Sequence, residues 1–167
     1  APSDRTRSIV QNDARSFGLI LDTVELDEIS NFIEYGADPL TIRLGNGERR
    51  ALVRDLFDSL RFNQLDSNDL VRVASGQIPL ARNLTQERAQ LPRVRTTFRA
   101  IYGHDPNFQN TNENLAWNTL MYRIRFPRNL NAERMGITNF RRLFGRTPQD
   151  PFQWATVRAL GYVPSER

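Results

Sequence analysis

Acid–base chemistry in this 167-residue chain would depend on one histidine and on paired carboxylates. His104 is the only side chain whose ordinary pKa lies near neutrality. It occupies the variable position of a turn sequence that occurs three times, where the other copies have Ala37 and Arg146. No GxSxG nucleophile motif accompanies it. The sequence therefore favours a loop residue at His104 over a general base.

Two carboxylate pairs, Asp55 with Asp58 and Asp66 with Asp69, have the spacing of one helical turn. Such pairs could in principle act as an acid and a base. Carboxylates at this spacing more often face solvent or begin a helix, and we expect that here. The sequence thus predicts no catalytic residues and no enzyme.

Metal and cofactor chemistry is restricted by the absence of cysteine and lysine. Without them, disulfides, thiolate metal sites, iron–sulfur clusters, Schiff bases and P-loops are excluded. The loop at residues 105–113 resembles the first part of a calcium loop, but Asn110 stands at the sixth position and Ala116 at the twelfth. Its oxygen-bearing side chains are Asp105, Asn107, Gln109 and Glu113. We expect a polar turn there and no cofactor.

All 23 basic residues are arginines, and they are distributed unevenly. Residues 1–79 hold nine arginines and 13 acidic residues, a net charge of −4, whereas residues 80–167 hold 14 arginines and six acidic residues, a net charge of +8. Arginine forms bidentate contacts with carboxylates and stacks on aromatic rings. The candidate interface comprises nine arginines of the basic half: Arg93, Arg95, Arg99, Arg123, Arg125, Arg128, Arg141, Arg142 and Arg146.

This charge distribution permits three interpretations. The basic half of one copy could contact the acidic half of the next, so that copies associate head to tail. Its arginines and aromatic residues could instead bind nucleic acid or another polyanion, although the acidic half would weaken that binding and no dedicated motif is present. The two halves could also neutralise each other within one globule.

Apolar residues recur at intervals of three and four, and no alternation of period two is long enough for a sheet. The pattern predicts an all-α fold in one domain over residues 1–167, with an acidic half (1–79) and a basic half (80–167). It also predicts no membrane span, because no apolar run approaches the roughly 20 residues required. Cap and stop signals predict helices over residues 22–36, 46–60, 66–76, 83–103, 112–125, 129–145 or 131–145, and 150–160. Pro92 should kink its helix or begin a new one.

One turn motif occurs three times: an aromatic residue, glycine, any residue, Asp or Thr, and proline. The copies are Tyr35, Gly36 and Pro39; Tyr102, Gly103 and Pro106; and Phe144, Gly145 and Pro148. The later two follow TTFRAIYG and TNFRRLFG, and RNLTQER at 82–88 matches RNLNAER at 128–134. Trp117 and Trp154 follow these copies. The pattern predicts duplicated helical hairpins of roughly 40 residues, packed as a compact or short solenoid-like domain.

The order ER, phenylalanine, (Y/F)G, proline, tryptophan and GY across residues 82–163 resembles helical modules of predicted secreted and cell-surface proteins from uncultured small-genome bacteria. The resemblance implies a non-enzymatic surface or matrix role. A first residue other than methionine fits leader removal and export. We therefore expect an exported structural protein that self-assembles head to tail into a fibre, lattice or surface layer, or that binds a surface partner protein. Polyanion binding is the alternative. Asn83 begins an NLT sequon, and its predicted capping role argues against its full exposure.

Overall fold

The computed structural model describes residues 1–60, 67–76 and 82–164, and every regular element within these ranges is a helix. Because these elements are all helices, the predicted all-α class is confirmed, and the chain is compact. The helices are α1 (Asp4–Ser16), α2 (Thr23–Tyr35), α3 (Pro39–Ile42), α4 (Gly45–Leu60), α5 (Ser67–Ser75), α6 (Leu84–Tyr102), α7 (Thr111–Tyr122), α8 (Leu130–Phe144) and α9 (Pro151–Tyr162). No helix in these ranges is both long and apolar enough to cross a membrane.

Side-chain caps determine where several helices begin. The carboxylate of Asp22 accepts a hydrogen bond from the Glu25 N–H at 2.8 Å, and Asp150 does the same for Gln153 at 2.8 Å. Asn83 caps α6 through the Gln86 N–H at 3.1 Å. These three predicted starts are confirmed. Asn129, rather than Asn131, caps α8, and the predicted start at Asp66 lies outside the described residues.

Two helices were not predicted. Helix α1 buries only Val10, Asp13 and Ala14, so its apolar pattern is too sparse to stand out in the sequence. Helix α3 is a single turn that begins at Pro39, directly after the capping residue Asp38. Both helices are therefore defined more by caps and neighbouring helices than by hydrophobic periodicity.

Pro92 lies inside the continuous helix α6, which excludes a new helix start, one of the two predicted alternatives. Proline cannot donate the hydrogen bond to the carbonyl four residues earlier, on Arg88. Both Pro92 and Arg88 are exposed, so water can satisfy that carbonyl. Helix α7 ends earlier than predicted, because Arg123 adopts a left-handed conformation with φ of 53°.

Helix α4 joins the two halves of the chain. It packs against α1, α2 and α3 of the first half and against α6, α7 and α9 of the second. Its buried residues Leu52, Val53, Leu56 and Phe57 belong to the larger hydrophobic core. A smaller core lies between α6, α8 and α9 and contains Ile101, Phe140, Val157 and Leu160.

The three turn motifs share part of their geometry. Gly36, Gly103 and Gly145 all have positive φ, and each donates its N–H to the carbonyl four residues earlier at 2.8 Å. The ψ angle is −176° at Gly36, but 4° at Gly103 and 18° at Gly145. The first turn therefore follows a different path, and the duplication of hairpins stays a prediction.

The aromatic residues ahead of the later two turns are arranged alike. The rings of Phe98 and Tyr102 lie 4.5 Å apart, and those of Phe140 and Phe144 lie 4.8 Å apart. The tryptophans differ: the Trp117 ring packs edge-on against Phe98 at 5.8 Å, whereas Trp154 is 41% exposed. The likeness between the two helix pairs is therefore restricted to the turn and the helix before it.

Candidate interaction surfaces

Three carboxylates of α4 bind arginines of the second half. Asp55, which is 7% exposed, lies 3.4 Å from the guanidinium nitrogens of both Arg125 and Arg158. Asp58 accepts a hydrogen bond from Arg123. Glu48 lies 3.2 Å from Arg125 and 3.6 Å from Arg128. We call these seven residues the α4 ion-pair cluster: Glu48, Asp55, Asp58, Arg123, Arg125, Arg128 and Arg158.

The centre of the cluster, around Asp55, Arg123 and Arg158, is buried, whereas Glu48 and Arg128 at its edge are partly exposed. Arg123 is fully buried, and its Nε and Nη2 have no hydrogen-bond partner among the described residues. Burial lowers the pKa of Arg158 to about 10, and its Nε donates to the Ile124 carbonyl at 3.1 Å. Asp55 is therefore not the solvent-facing carboxylate that the sequence predicts, and Asp66 lies outside the described residues. The cluster holds α4 against α7 and α9.

The cluster changes the composition of the predicted interface. Arg123 is buried, and Arg125 and Arg128 bind Glu48 within the same chain. Arg99 binds Asp105 at 2.7 Å, and the guanidinium of Arg93 lies over the Phe152 ring at 4.1 Å. Four predicted arginines are exposed and form no ion pair with a carboxylate of the described residues: Arg95, Arg141, Arg142 and Arg146. The same holds for two arginines of the basic half that were not predicted as part of the interface, Arg88 and Arg134.

The missed arginines have a recognisable spacing. Arg88 precedes Arg95 by seven residues on α6, and Arg134 precedes Arg141 by seven residues on α8. Residues seven apart lie on the same face of a helix, two turns from each other. This spacing is the sequence signal that places both residues on the same helix face as a predicted interface arginine.

A groove of about 650 Å³ lies between α6 and α7, and we call it the α6–α7 groove. Phe108 at its edge is 55% exposed and packs edge-on against Trp117, with ring centres 5.5 Å apart. The lining is mixed: Arg82, Leu84, Glu87, Arg88, Leu91, Arg95, Asp105, Pro106, Phe108, Asn114, Trp117, Asn118, Met121 and Tyr122.

The acidic residues of this groove are already engaged. Glu87 binds Arg82 at 2.7 Å and accepts a hydrogen bond from the Tyr122 hydroxyl, and the Arg82 contact lowers the pKa of Glu87. Asp105 binds Arg99. Arg88 and Arg95 form no ion pair with a carboxylate in the described ranges, although Asp105 lies near enough to Arg95 for this arginine to contribute, after Arg99, to its lowered pKa. The groove therefore has more basic than acidic side chains in its lining.

Helix α8 presents a second basic surface, the α8 outer face, made of Leu130, Asn131, Arg134, Met135, Thr138, Arg141 and Arg142. Met135 is 64% exposed and Leu130 is 60% exposed. The one carboxylate of α8, Glu133, lies on another side, 3.3 Å from the Tyr162 hydroxyl. The arginines of this face have no acidic neighbour on the same helix face.

Helix α2 and its cap carry five carboxylates and no arginine. Asp27 binds Arg7 at 2.8 Å, and Glu34 accepts hydrogen bonds from Ser3 and Thr6, each at 2.5 Å. The α2 outer face is what remains: Ile20, Asp22, Val24, Glu25 and Glu28. Ile20 is 94% exposed and Val24 is 67% exposed. The sequence pattern did not predict this surface.

The carboxylates of Asp22 and Glu25 interact directly. Hydrogen bonds from the Glu25 residue lower the pKa of Asp22. Partial burial, and then the neighbouring Asp22, raise the pKa of Glu25. No arginine of the described ranges forms an ion pair with Asp22, Glu25 or Glu28. The α2 outer face is thus an unneutralised negative surface with apolar side chains.

The polar contacts of His104 are with the loop at residues 105–113. The Nδ1 of the exposed His104 lies 2.7 Å from the Asp105 carbonyl oxygen and 3.6 Å from Glu113. Glu113 accepts the Asn107 N–H at 3.1 Å. Within the described part of the chain, no group of three or more His, Asp or Glu residues is placed to hold a metal ion.

Neither protein-family models, nor curated proteins, nor solved structures match this chain. Its function must therefore be inferred from the surfaces themselves: the α2 outer face, the α6–α7 groove and the α8 outer face.

Proposed function

We propose that this is a non-enzymatic structural protein that associates head to tail with copies of itself. The supporting observation is that some charged side chains on the surface form no ion pair within the described residues. Among the described residues, Asp22, Glu25 and Glu28 of the α2 outer face form no ion pair with an arginine, and Arg88 and Arg95 at the α6–α7 groove form none with a carboxylate. Complementary charges on separate surfaces favour association between copies and fix its register.

The two surfaces belong to different parts of the fold. Helix α4 packs against both α2 and α6, so it connects the helices that carry the opposite charges. A contact between two different surfaces of identical copies is heterologous, and it propagates into a filament unless rotation closes a ring. Head-to-tail association through these surfaces therefore leads to a fibre, or to a lattice if further contacts join the fibres.

Part of the charge asymmetry is used within the chain. Glu48, Asp55 and Asp58 of the acidic half bind Arg123, Arg125, Arg128 and Arg158 of the basic half. The intramolecular interpretation of the charge split therefore accounts for these seven residues. The association proposal depends only on the charges outside the α4 ion-pair cluster.

Particle size tests the proposal directly. We expect light scattering and electron microscopy to show filaments or higher oligomers at low salt, and smaller species as salt screens the contacts. A strict monomer at high protein concentration and low salt would overturn the proposal.

Polyanion binding is a second candidate, and the α8 outer face favours it. Arg134, Arg141 and Arg142 share this face without a carboxylate, and Arg146 follows the helix end. Filter-binding titrations with DNA, RNA and heparin should show retention that falls steeply with salt. Arg134→Glu with Arg141→Glu should abolish the retention. No retention of the wild-type protein at low ionic strength would remove this candidate.

A location outside the cell or on its surface and an origin from duplicated hairpins are part of the same proposal. Support for duplication comes from the shared glycine turn and the matching ring pairs, Phe98 with Tyr102 and Phe140 with Phe144.

The location can be tested by adding protease to intact cells. Digestion of the protein before lysis supports a surface location, and full protection contradicts it.

A further inference from the structure

Ile20 is an exposed apolar side chain on the loop between α1 and α2, next to residues that pack into the core. It is 94% exposed, although the next residue towards the N-terminus, Leu19, is 7% exposed and belongs to the core. The Leu19 N–H donates to the Ala14 carbonyl at 2.9 Å, and the Phe17 ring packs 6.4 Å from that of Phe57. A backbone hydrogen bond of Leu19 and the packing of Phe17 therefore hold the loop in place, and Ile20 faces solvent from it.

The α6–α7 groove has the properties required to receive such a side chain. Its volume of about 650 Å³ exceeds that of one isoleucine, so it can also take neighbouring residues. Leu84, Leu91, Phe108 and Trp117 supply apolar lining, and the exposed half of Phe108 would be covered by an occupant. Removing these surfaces from water together would favour binding.

The charges beside Ile20 are opposite in sign to those beside the groove. Arg88 and Arg95 are seven residues apart on α6, a distance of about 10 Å along the helix. Glu25 and Glu28 are three residues apart in the first two turns of α2, so their side chains lie on neighbouring positions of one side of the helix. Val24 and Glu28 lie one turn apart on the same exposed face of α2. Carboxylates can thus lie opposite the arginines of the groove when Ile20 or Val24 contacts its apolar lining.

We propose that Ile20 of one copy inserts into the α6–α7 groove of the next copy, with the carboxylates of the α2 outer face opposite Arg88 and Arg95. This inference rests on the proposed head-to-tail association and names the contact that produces it. A second copy is the occupant because the chain itself carries an acidic surface with exposed apolar side chains that complements the groove.

Two complementary variants test the contact. Ile20→Arg places a positive charge in the inserting loop, and Arg88→Glu with Arg95→Glu reverses the charge of the groove. All three positions are exposed, so folding should be preserved and is checked by circular dichroism. In analytical ultracentrifugation each variant alone should be a monomer. Mixed in equal amounts, they should form a 1:1 dimer and nothing larger, because one intact loop and one intact groove remain.

Matched controls define the specificity. Ile42→Arg changes another exposed isoleucine, 58% exposed, and Arg134→Glu with Arg141→Glu makes the same charge change on the α8 outer face. Both controls should assemble like the wild-type protein. Loss of assembly in either control would overturn the assignment of this contact.

Charge exchange gives the decisive result. A chain with Glu25→Arg, Glu28→Arg, Arg88→Glu and Arg95→Glu should assemble again, whereas each pair of changes alone should not; Asp22 is kept because it caps α2. If the wild-type protein assembles and the loop and groove variants assemble equally, the contact is wrong and the proposed function stands. If the wild-type protein is a monomer under all conditions, both are wrong.

Discussion

Gly136 of α8 and Gly161 of α9 lie against each other where the two helices cross. A β-carbon on Gly161 would come within 3.3 Å of the Gly136 Cα and within 2.2 Å of the Ala132 carbonyl oxygen. One on Gly136 would lie 2.4 Å from the Val157 carbonyl oxygen. Backbone atoms cannot move aside as the end of a side chain can, so these two positions require glycine for the α8–α9 contact.

We therefore expect Gly136→Ala and Gly161→Ala each to destabilise the protein by about 1–3 kcal/mol, as other overpacked sites do. Chemical denaturation measures the effect. Gly47→Ala is the matched control, because a β-carbon at this helical position meets nothing within 4 Å. It should be neutral or stabilise the protein by about 0.5–1 kcal/mol. Equal effects at all three glycines would contradict the close helix crossing.

The α4 ion-pair cluster gives a second prediction. Asp55→Asn leaves the buried guanidinium groups of Arg125 and Arg158 without their shared carboxylate, so we expect a loss of about 3–5 kcal/mol in the free energy of unfolding. Asp27→Asn, which breaks the more exposed contact with Arg7, should cost much less.

A double-mutant cycle separates the ion pair from general damage to the core. Asp55→Asn combined with Arg158→Met should lose less than the two single changes added together, because the second change removes a charge that the first left unpaired. Additive losses would show that Asp55 and Arg158 do not stabilise each other.

Acid should weaken the attachment of α1 to α2 through Glu34. Hydrogen bonds from Ser3 and Thr6 lower the pKa of Glu34 from its ordinary 4.5 to about 2. The folded pKa lies below the unfolded one, so this contribution is complete above pH 4.5 and is lost as the pH falls towards 2. The protection factors of the α1 amides in hydrogen exchange, which correct for the intrinsic pH dependence of exchange, should therefore fall over this interval.

Glu34→Gln is the control for that titration. The variant should show faster exchange in α1 already at neutral pH and a smaller change between pH 4.5 and 2, since the titrating carboxylate is gone. An unchanged pH response in the variant would assign the titration to other carboxylates.

The sequence predicted the features that depend on nearby residues. The caps at Asp22, Asn83 and Asp150 and the glycine ends at Gly103 and Gly145 each involve residues within one or two turns, so local patterns suffice.

The α4 ion-pair cluster could not be predicted in this way. Asp58 and Arg123 are 65 residues apart and Asp55 and Arg158 are 103 apart, and their pairing depends on how helices pack. The charge totals of the two halves indicated attraction between them but not which arginines it uses. For the same reason, the α2 outer face became recognisable only after Asp27 and Glu34 were found to have internal partners.

Pro92 provides the last prediction, because its effect differs between a continuous helix and a new helix start. In the continuous helix α6 an alanine would restore the N–H that can bond to the Arg88 carbonyl. Helix interiors favour alanine over proline by about 3 kcal/mol, and the more flexible unfolded chain offsets about 1 kcal/mol of that. We expect Pro92→Ala to stabilise the protein by roughly 1–2 kcal/mol in chemical denaturation. At the first position of a new helix proline is favourable, so the same change would be neutral or destabilising there. Pro151, which occupies that position in α9, is the control, and Pro151→Ala should not stabilise the protein.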